Sequence, residues 1–547
     1  MTTQATDVLT AARKLANAAS DAIALAITQA ARITDNAKAI DEHQVLAERI
    51  AVHATEARAA AELVAYCERQ MSSGKRDAIA EQQAFAFAAE ITHKLRSVSH
   101  AHPEFAINER LDGNELNSLV RAGLDDTVFE SIGARVIESR GLHTTDLEDQ
   151  AASLVRDSAR NFAKAEVVPI AQDMHREDSL VPETLIQKIA ELGLFGCSIP
   201  EQYGGTEMGL LTMCVLTEEL SAASLVAGSL ITRSEILTRA LIQGGTEEQR
   251  QQWLPRIAAG ELMVGISVTE PDVGSDVQSV QCRATRGQLD GQDGWLIEGS
   301  KAWSTFAGRA NILALLARTD PDLSLGGHGL SLFIVEKDAF DGHHFVQTQP
   351  GGGSITGTAN PTPGYRGMHS FTLALDRYFV PAENLVGGEE GLGRGFYLQM
   401  GGFAAGRLQT GGRATGVGQA SVEKACNYAA GRKQFGKAIA EYQRTQHKIG
   451  RMATHVAAGR HLTYAAAREM QQDESATRGM LAPMCKLFAS DTAVWVSQEA
   501  QVLHGGWGYS EEDPIARYVV DALVLPIFEG VKMTLELKVI GRQLLAG

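Results

Sequence analysis

The 547-residue chain has little of what announces several common function classes. Its six cysteines, Cys67, Cys197, Cys214, Cys282, Cys426 and Cys485, are scattered, with no CxxC pair and no histidine at metal-ligand spacing. No metal centre or redox disulfide is expected, and the thiols read as buried and free in a reducing compartment. No GxxxxGK[ST], HExxH or GxSxG motif occurs, which argues against P-loop, zincin and serine-hydrolase chemistry. Basic residues are outnumbered, 50 against 66 acidic, and the net charge of −16 disfavours general nucleic-acid binding. No apolar run reaches membrane-spanning length and no basic-then-apolar leader opens the sequence, so a cytoplasmic protein without a membrane segment is expected.

Glycine and proline are absent from the first 73 residues. Apolar and small residues recur there at helical spacing, as in Leu9, Ala12, Ala16, Ala19, Ile23 and again in Leu46, Ile50, Ala57, Val64. A third amphipathic stretch runs from about Ala78 to Leu95. Residues 1–140 therefore read as a separate bundle of long helices, a packing or oligomerisation module with no nucleophile–base pair. Helices continue over 146–264, where Leu185, Ile186, Ile189 and Leu192 form an apolar face before the Gly193–Gly196 and Pro200 breaks.

The texture changes over 265–388. Short β-branched segments, 264-VGISV, 295-WLIEG, 311-NILALLA, 329-GLSLFIVE and 371-FTLALD, predict strands of an antiparallel sheet or barrel. The Gly/Pro-rich 350-PGGGSITGTANPTPG predicts an irregular surface excursion. Residues 389–547 return to helix, interrupted by the 504-HGGWGYS turn. The chain is thus mainly α with one β domain, an α+β organisation.

Two stretches offer chemistry. The segment 266-ISVTEPDVGSD runs a strand into a turn that presents Thr269, the amides around Gly274, and the Ser275 hydroxyl, a polar hook suited to orienting a flat heteroaromatic ring. In 299-GSKAWSTFAG, alternation puts Trp303 and Thr305 on one side of a strand, an indole wall beside a hydroxyl. The glycines of 388-GEEGLGRG lack the βαβ context of a Rossmann site.

The TEPxxGSD and GSKxWxT strings, followed by 431-GRKQFGKAIAEYQ and 504-HGGWGYSEEDPIARYVVDALVLPIFEG, resemble the acyl-CoA dehydrogenase family over about residues 146–547. The resemblance implies a helical domain, a middle β-barrel-like domain and a carboxyl-terminal four-helix domain, here behind an extra helical module. It implies FAD as cofactor, an acyl-CoA thioester as substrate and an electron-transfer flavoprotein as acceptor. By position, Val268, Thr269, Gly274 and Ser275 line the flavin and acyl channel, and Trp303 and Thr305 contact the flavin ring, Thr305 near its N5 atom. Arg432, Phe435, Gln443 and Gly506 hold FAD, the first three from a neighbouring subunit, where an arginine fork suits the pyrophosphate. Arg407 meets the substrate side. Gln434 stands where the pattern has Thr or Ser, and Val502 where it has Gln.

The resemblance makes Glu529 in 526-PIFEG the base, removing the α-proton of the thioester while the β-hydrogen leaves as hydride. An apolar setting with a raised pKa is expected for it. Its backbone amide and a flavin ribityl hydroxyl would polarise the thioester carbonyl. The 404-AAGR stretch, where some relatives carry the base, has no carboxylate. Arg233 in 230-LITRSEILTR is a candidate cation for a second, free carboxylate, so a short branched dicarboxylic thioester, methylsuccinyl-CoA going to mesaconyl-CoA, is expected. A monocarboxylic acyl-CoA substrate, an oxidase using oxygen and a flavin-containing DNA-binding relative are the alternatives. FAD sites shared between chains and an added module covering a tetramer-forming surface imply a homodimer.

Overall fold

The computed structural model describes residues 7–472 and 479–547. It begins with three long helices, α1 (Val8–Ile33), α2 (Gln44–Ser72) and α3 (Ala78–Ala101), followed after shorter turns by α4 (Asp126–Glu138). Their buried faces are mostly alanine, including Ala12, Ala16 and Ala19 on α1 and Ala84 and Ala88 on α3. Small side chains let helix axes approach closely, and it is this shared burial that makes the helices stable. Asp77 caps α3 by accepting from the amides of Ile79 and Ala80, which would otherwise lack partners.

Further helices include α5 (Gly209–Ala223), α6 (Glu235–Gly244) and α7 (Glu247–Ala258). Helix α5 is buried on nearly every side, matching its almost uniformly apolar sequence. Helix α7 opens with a capping box between Thr246 and Gln249.

The sheet follows: β1 (Val264–Ser267), β2 (Arg283–Leu289), β3 (Gln292–Thr305), β4 (Ile312–Arg318), β5 (Leu330–Glu336), β6 (His344–Thr348), β7 (Ser354–Ala359) and β8 (Ser370–Pro381). Its order is β1-β4-β2-β3-β8-β7-β6, with β5 also on β4. All five strands expected from the sequence form, while β2 and β6 were not anticipated. Two corrections follow. The sheet is not wholly antiparallel: β4 runs parallel to β1 and touches β2 in the same sense. The long excursion through β2 and β3 is what allows a parallel return. The 350–364 stretch is not an irregular excursion either, because Ser354–Ala359 forms β7, paired on both sides. Ile355 points into the core, and Gly357 leaves room for the Phe345 ring, which lies 2.2 Å from where a Cβ would stand.

The chain then runs through α8 (Gly395–Gly431), α9 (Gln443–Gln472), α10 (Leu481–His504) and α11 (Pro514–Ala522). Two compact units result: Met1–Leu154 with Thr410–Gly547, and Val155–Gln409. In the first, the amino-terminal helices pack on the carboxyl-terminal ones. Helices α4 and α9 meet at Gly133 and Gly450, where a Cβ on Gly133 would lie 1.8 Å from the Gln446 carbonyl oxygen and one on Gly450 2.0 Å from that of Phe129. Tyr66 of α2 stacks on His461 of α9 at 3.9 Å. All six cysteines are buried free thiols. Among the described residues no helix is long and apolar enough to cross a membrane.

Candidate active site

Glu529 follows α11 in a tight loop. Its own φ of 54° and that of Gly530, 101°, both lie in the left-handed region, which is strained for a glutamate and recurs where a side chain must be aimed for function. The buried Lys486 of α10 donates to the Gly530 carbonyl at 2.5 Å and fixes the loop. The carboxylate is gripped by α8. Thr410 Oγ1 donates to Oε2 at 2.8 Å, and Arg413 Nη2 donates to Oε1 at 2.7 Å and to Thr410 Oγ1 at 2.7 Å. Thr410 and Arg413 are three residues apart, hence on one face of the helix. Arg413 is fully buried, and its guanidinium also lies 5.0 Å from the centre of the Phe528 ring. The apolar setting expected for Glu529 is therefore incomplete. Phe528 supplies it on one side, but a buried cation holds the carboxylate itself.

In the other unit, the turn after β1 is clasped to β3. The Val268 carbonyl accepts from Lys301 Nζ at 2.9 Å and the Thr269 carbonyl from the Ala302 amide at 2.8 Å. Lys301 is wholly buried and ion-paired to Glu270 at 2.9 Å, while Glu270 also accepts from the amides of Gln281 and Cys282. A bulge between Lys301 and Ser304 interrupts the β3–β8 register. There Trp303 takes a φ of 57° and is 58% exposed, an unusual setting for an indole on a sheet strand. Ser304 turns inward to Ser267 Oγ at 2.7 Å, and Thr305 is half-buried with its hydroxyl 3.0 Å from that of Ser370. Trp303 and Thr305 thus share the less buried side, as alternation predicts. Gly274 and Ser275 lie exposed on the adjoining turn, and nothing stands within 4 Å of a Cβ built on Gly274. An exposed indole, a nearby hydroxyl and an uncrowded glycine turn fit a flat ring system and its polar edges.

Arg432 and Phe435 sit on a two-stranded hairpin, Lys433–Gln434 with Lys437–Ala438, between α8 and α9. Phe435 at its tip is 94% exposed with a φ of 51°. Gln443 opens α9, and its amide donates to Glu130 of α4 at 2.6 Å, leaving a second N–H and its carbonyl. Gly506 is exposed in the turn after α10, which Gln501 closes by donating to the Gly508 carbonyl at 3.0 Å. Arg233 is half-buried between helices and donates to the Ser229 carbonyl at 3.3 Å, and Arg407 is half-buried beside Phe403. Thr410, Arg413, Glu270 and Lys301 were not anticipated. Glu270 and Lys301 stood inside the two motifs that were recognised, whereas a contact spanning 116 residues gives Arg413 no local signal.

The sequence matches the acyl-CoA dehydrogenase N-terminal domain over residues 149–261, the middle domain over 265–377 and the C-terminal domain over 393–545. It is 34% identical to (2S)-methylsuccinyl-CoA dehydrogenase of Cereibacter sphaeroides, covering 99% of this chain and 98% of that protein. It is also 34% identical to an acyl-CoA dehydrogenase of Bacillus subtilis, over 72% of this chain and 98% of that one, and 32% identical to acryloyl-CoA reductase (NADH) of Anaerotignum propionicum, over 69% and 90%. Among solved structures, butyryl-CoA dehydrogenase from Megasphaera elsdenii superposes with a TM-score of 0.65 at 30% identity, covering 74% of this chain and 99% of that one.

Proposed function

The chain belongs to the acyl-CoA dehydrogenase family, FAD-dependent oxidoreductases of acyl-CoA thioesters, and from that premise we propose that it dehydrogenates a short, branched dicarboxylic thioester, (2S)-methylsuccinyl-CoA, to mesaconyl-CoA. One observation carries the substrate choice. Similarity to methylsuccinyl-CoA dehydrogenase runs through the amino-terminal helices, whereas the similarity to the Bacillus subtilis acyl-CoA dehydrogenase covers 72% of the chain.

Glu529 is the base that takes the α-proton. The left-handed backbone and the grip of Lys486 aim its carboxylate, and Thr410 orients one of its oxygens. FAD, when bound, supplies the acceptor for the β-hydrogen. Val268, Thr269, Gly274 and Ser275 would border the ring and acyl channel, Trp303 would wall the ring, and Thr305 would hydrogen-bond its edge. The Lys301–Glu270 pair holds both segments in register from behind. Arg432, Phe435, Gln443 and Gly506 would hold the rest of the cofactor, the first three for a second copy. The nearly naked Phe435 at a hairpin tip supports that reading, since a large exposed aromatic is a common anchor for a partner. The working form is then a homodimer that passes electrons to an electron-transfer flavoprotein. Sedimentation showing a flavin-bearing monomer would contradict it. Arg407 would lie on the substrate side. A free substrate carboxylate requires a cation, and Arg233 is one candidate.

Anaerobic bleaching of the yellow enzyme with both methylsuccinyl-CoA enantiomers, butyryl-CoA, isobutyryl-CoA and glutaryl-CoA tests the proposal. Bleaching by one methylsuccinyl-CoA enantiomer alone is expected. Bleaching by butyryl-CoA or isobutyryl-CoA in its place would reassign the substrate.

A further inference from the structure

We propose that Arg413 is the specificity-determining cation of this enzyme, binding the free carboxylate of a dicarboxylic acyl thioester as Glu529 releases it. The inference rests on the function proposed above and adds the residue that selects the substrate class. Arg413 is fully buried on α8, and Glu529 is the carboxylate in contact with it. Stripping a buried guanidinium of its counter-charge costs several kcal/mol, so Arg413 needs an anion in every state of the reaction.

Catalysis removes that anion. When the α-carbon–hydrogen bond breaks, the proton goes to Glu529, the carboxylate becomes a neutral acid, and its charge no longer balances Arg413. With a monocarboxylic thioester nothing replaces it, and the stranded cation opposes proton transfer. With a dicarboxylic thioester the substrate brings the replacement. In a branched C4 substrate the free carboxyl carbon is bonded to the β-carbon, two bonds or about 2.5 Å from the α-carbon that Glu529 must reach. A cation 2.7 Å from the base is therefore within range of that second carboxylate. The guanidinium fork has five donors. Nη2 serves Thr410 and Glu529, and the planar group can grip a carboxylate through two parallel hydrogen bonds. Thr410 remains against Arg413 through the exchange and keeps the fork oriented. Arg233 is less suited. It is only half-buried and is tied to a backbone carbonyl, so it has no comparable need for an anion.

The test compares methylsuccinyl-CoA with 2-methylbutyryl-CoA of matching hand, in which a methyl group stands in place of the free carboxylate. Values of kcat/KM are measured for the holoenzyme and for Arg413→Gln, Arg413→Lys and Arg233→Ala, with flavin content and Tm as controls. In Arg413→Gln the preference for the charged thioester is expected to fall about 100-fold or more, chiefly through KM. Arg413→Lys keeps the charge but loses the fork, so about a 10-fold fall is expected, and this variant decides the matter if the glutamine one does not fold. A preference unchanged within about 3-fold in the Arg413 variants, or abolished by Arg233→Ala instead, would overturn the role of Arg413 alone. Wild-type enzyme with no preference for methylsuccinyl-CoA would overturn the proposed function, and the role of Arg413 with it.

Discussion

A carboxylate poised to take a proton is held by Arg413 and Thr410, and a lysine with no part in proton transfer is held by Glu270. The two buried pairs predict different variant phenotypes. Glu529→Gln removes the proton acceptor while leaving flavin contacts elsewhere intact. The variant is expected to stay yellow and to lose bleaching rate by about 1,000-fold or more, measured by anaerobic stopped flow. Lys301→Met strands Glu270 without its cation, and a loss of about 3–5 kcal/mol is expected in denaturant unfolding, with flavin retention falling alongside. Glu536 makes a third case. Burial pushes its carboxyl up to about 7, and the nearby Lys532 only partly offsets this. A raised acid binds more protons folded than unfolded, so its contribution to stability is present below pH 4.5 and is lost as pH rises to 7. Glu536→Gln is therefore expected to raise Tm at pH 8 and to flatten the pH dependence between 4.5 and 7. An unchanged Tm at pH 8 would contradict this. Trp303, Thr305 and Glu529 were legible because each sits in a contiguous motif. Thr410 and Arg413 were not, since in the sequence they are two polar residues in a glycine-rich helix, and only folding brings them to a loop over 100 residues away.

At the scale of elements, the helices were easiest to read because an apolar stripe recurs over several turns, as on α1 and α3. Strands gave a weaker signal. Gly and Pro counts concealed β7, yet the alternation of Ile355 and Gly357 toward the core was present in the letters. The bulge that exposes Trp303 was hidden, because a left-handed tryptophan depends on the partner strand rather than on its neighbours. The α4–α9 crossing is equally non-local. Gly133→Val places carbon inside the Gln446 carbonyl, so the helices must separate, drawing apart the Gln443–Glu130 and His447–Asp126 contacts beside them. A loss of about 2–3 kcal/mol is expected from thermal unfolding. A variant as stable as the parent would show that the crossing can open without cost.

At the scale of the whole molecule, the amino-terminal helices form one unit with the carboxyl-terminal ones, and the ties between them are partly electrostatic. Glu90 of α3 faces His455 and Arg451 of α9, at 3.2 Å and 2.8 Å. Burial alone would raise its carboxyl, but the hydrogen bond and charge of His455, with Arg451 beside it, outweigh burial and hold it down to about 2. A depressed carboxyl favours the folded state above its ordinary value of 4.5, and that advantage is lost as pH falls toward 2. The amino-terminal helices are therefore expected to loosen on mild acidification before the alanine-packed core of α1–α3 melts. Hydrogen exchange at falling pH, corrected for the intrinsic rate, should show protection lost first along the α3–α9 contact, between about pH 4.5 and 3. Glu90→Gln should show the same loosened contact already at pH 7, with little further change on acidification. Uniform loss of protection over both units, or an unaltered pH profile in Glu90→Gln, would place the acid-sensitive tie elsewhere.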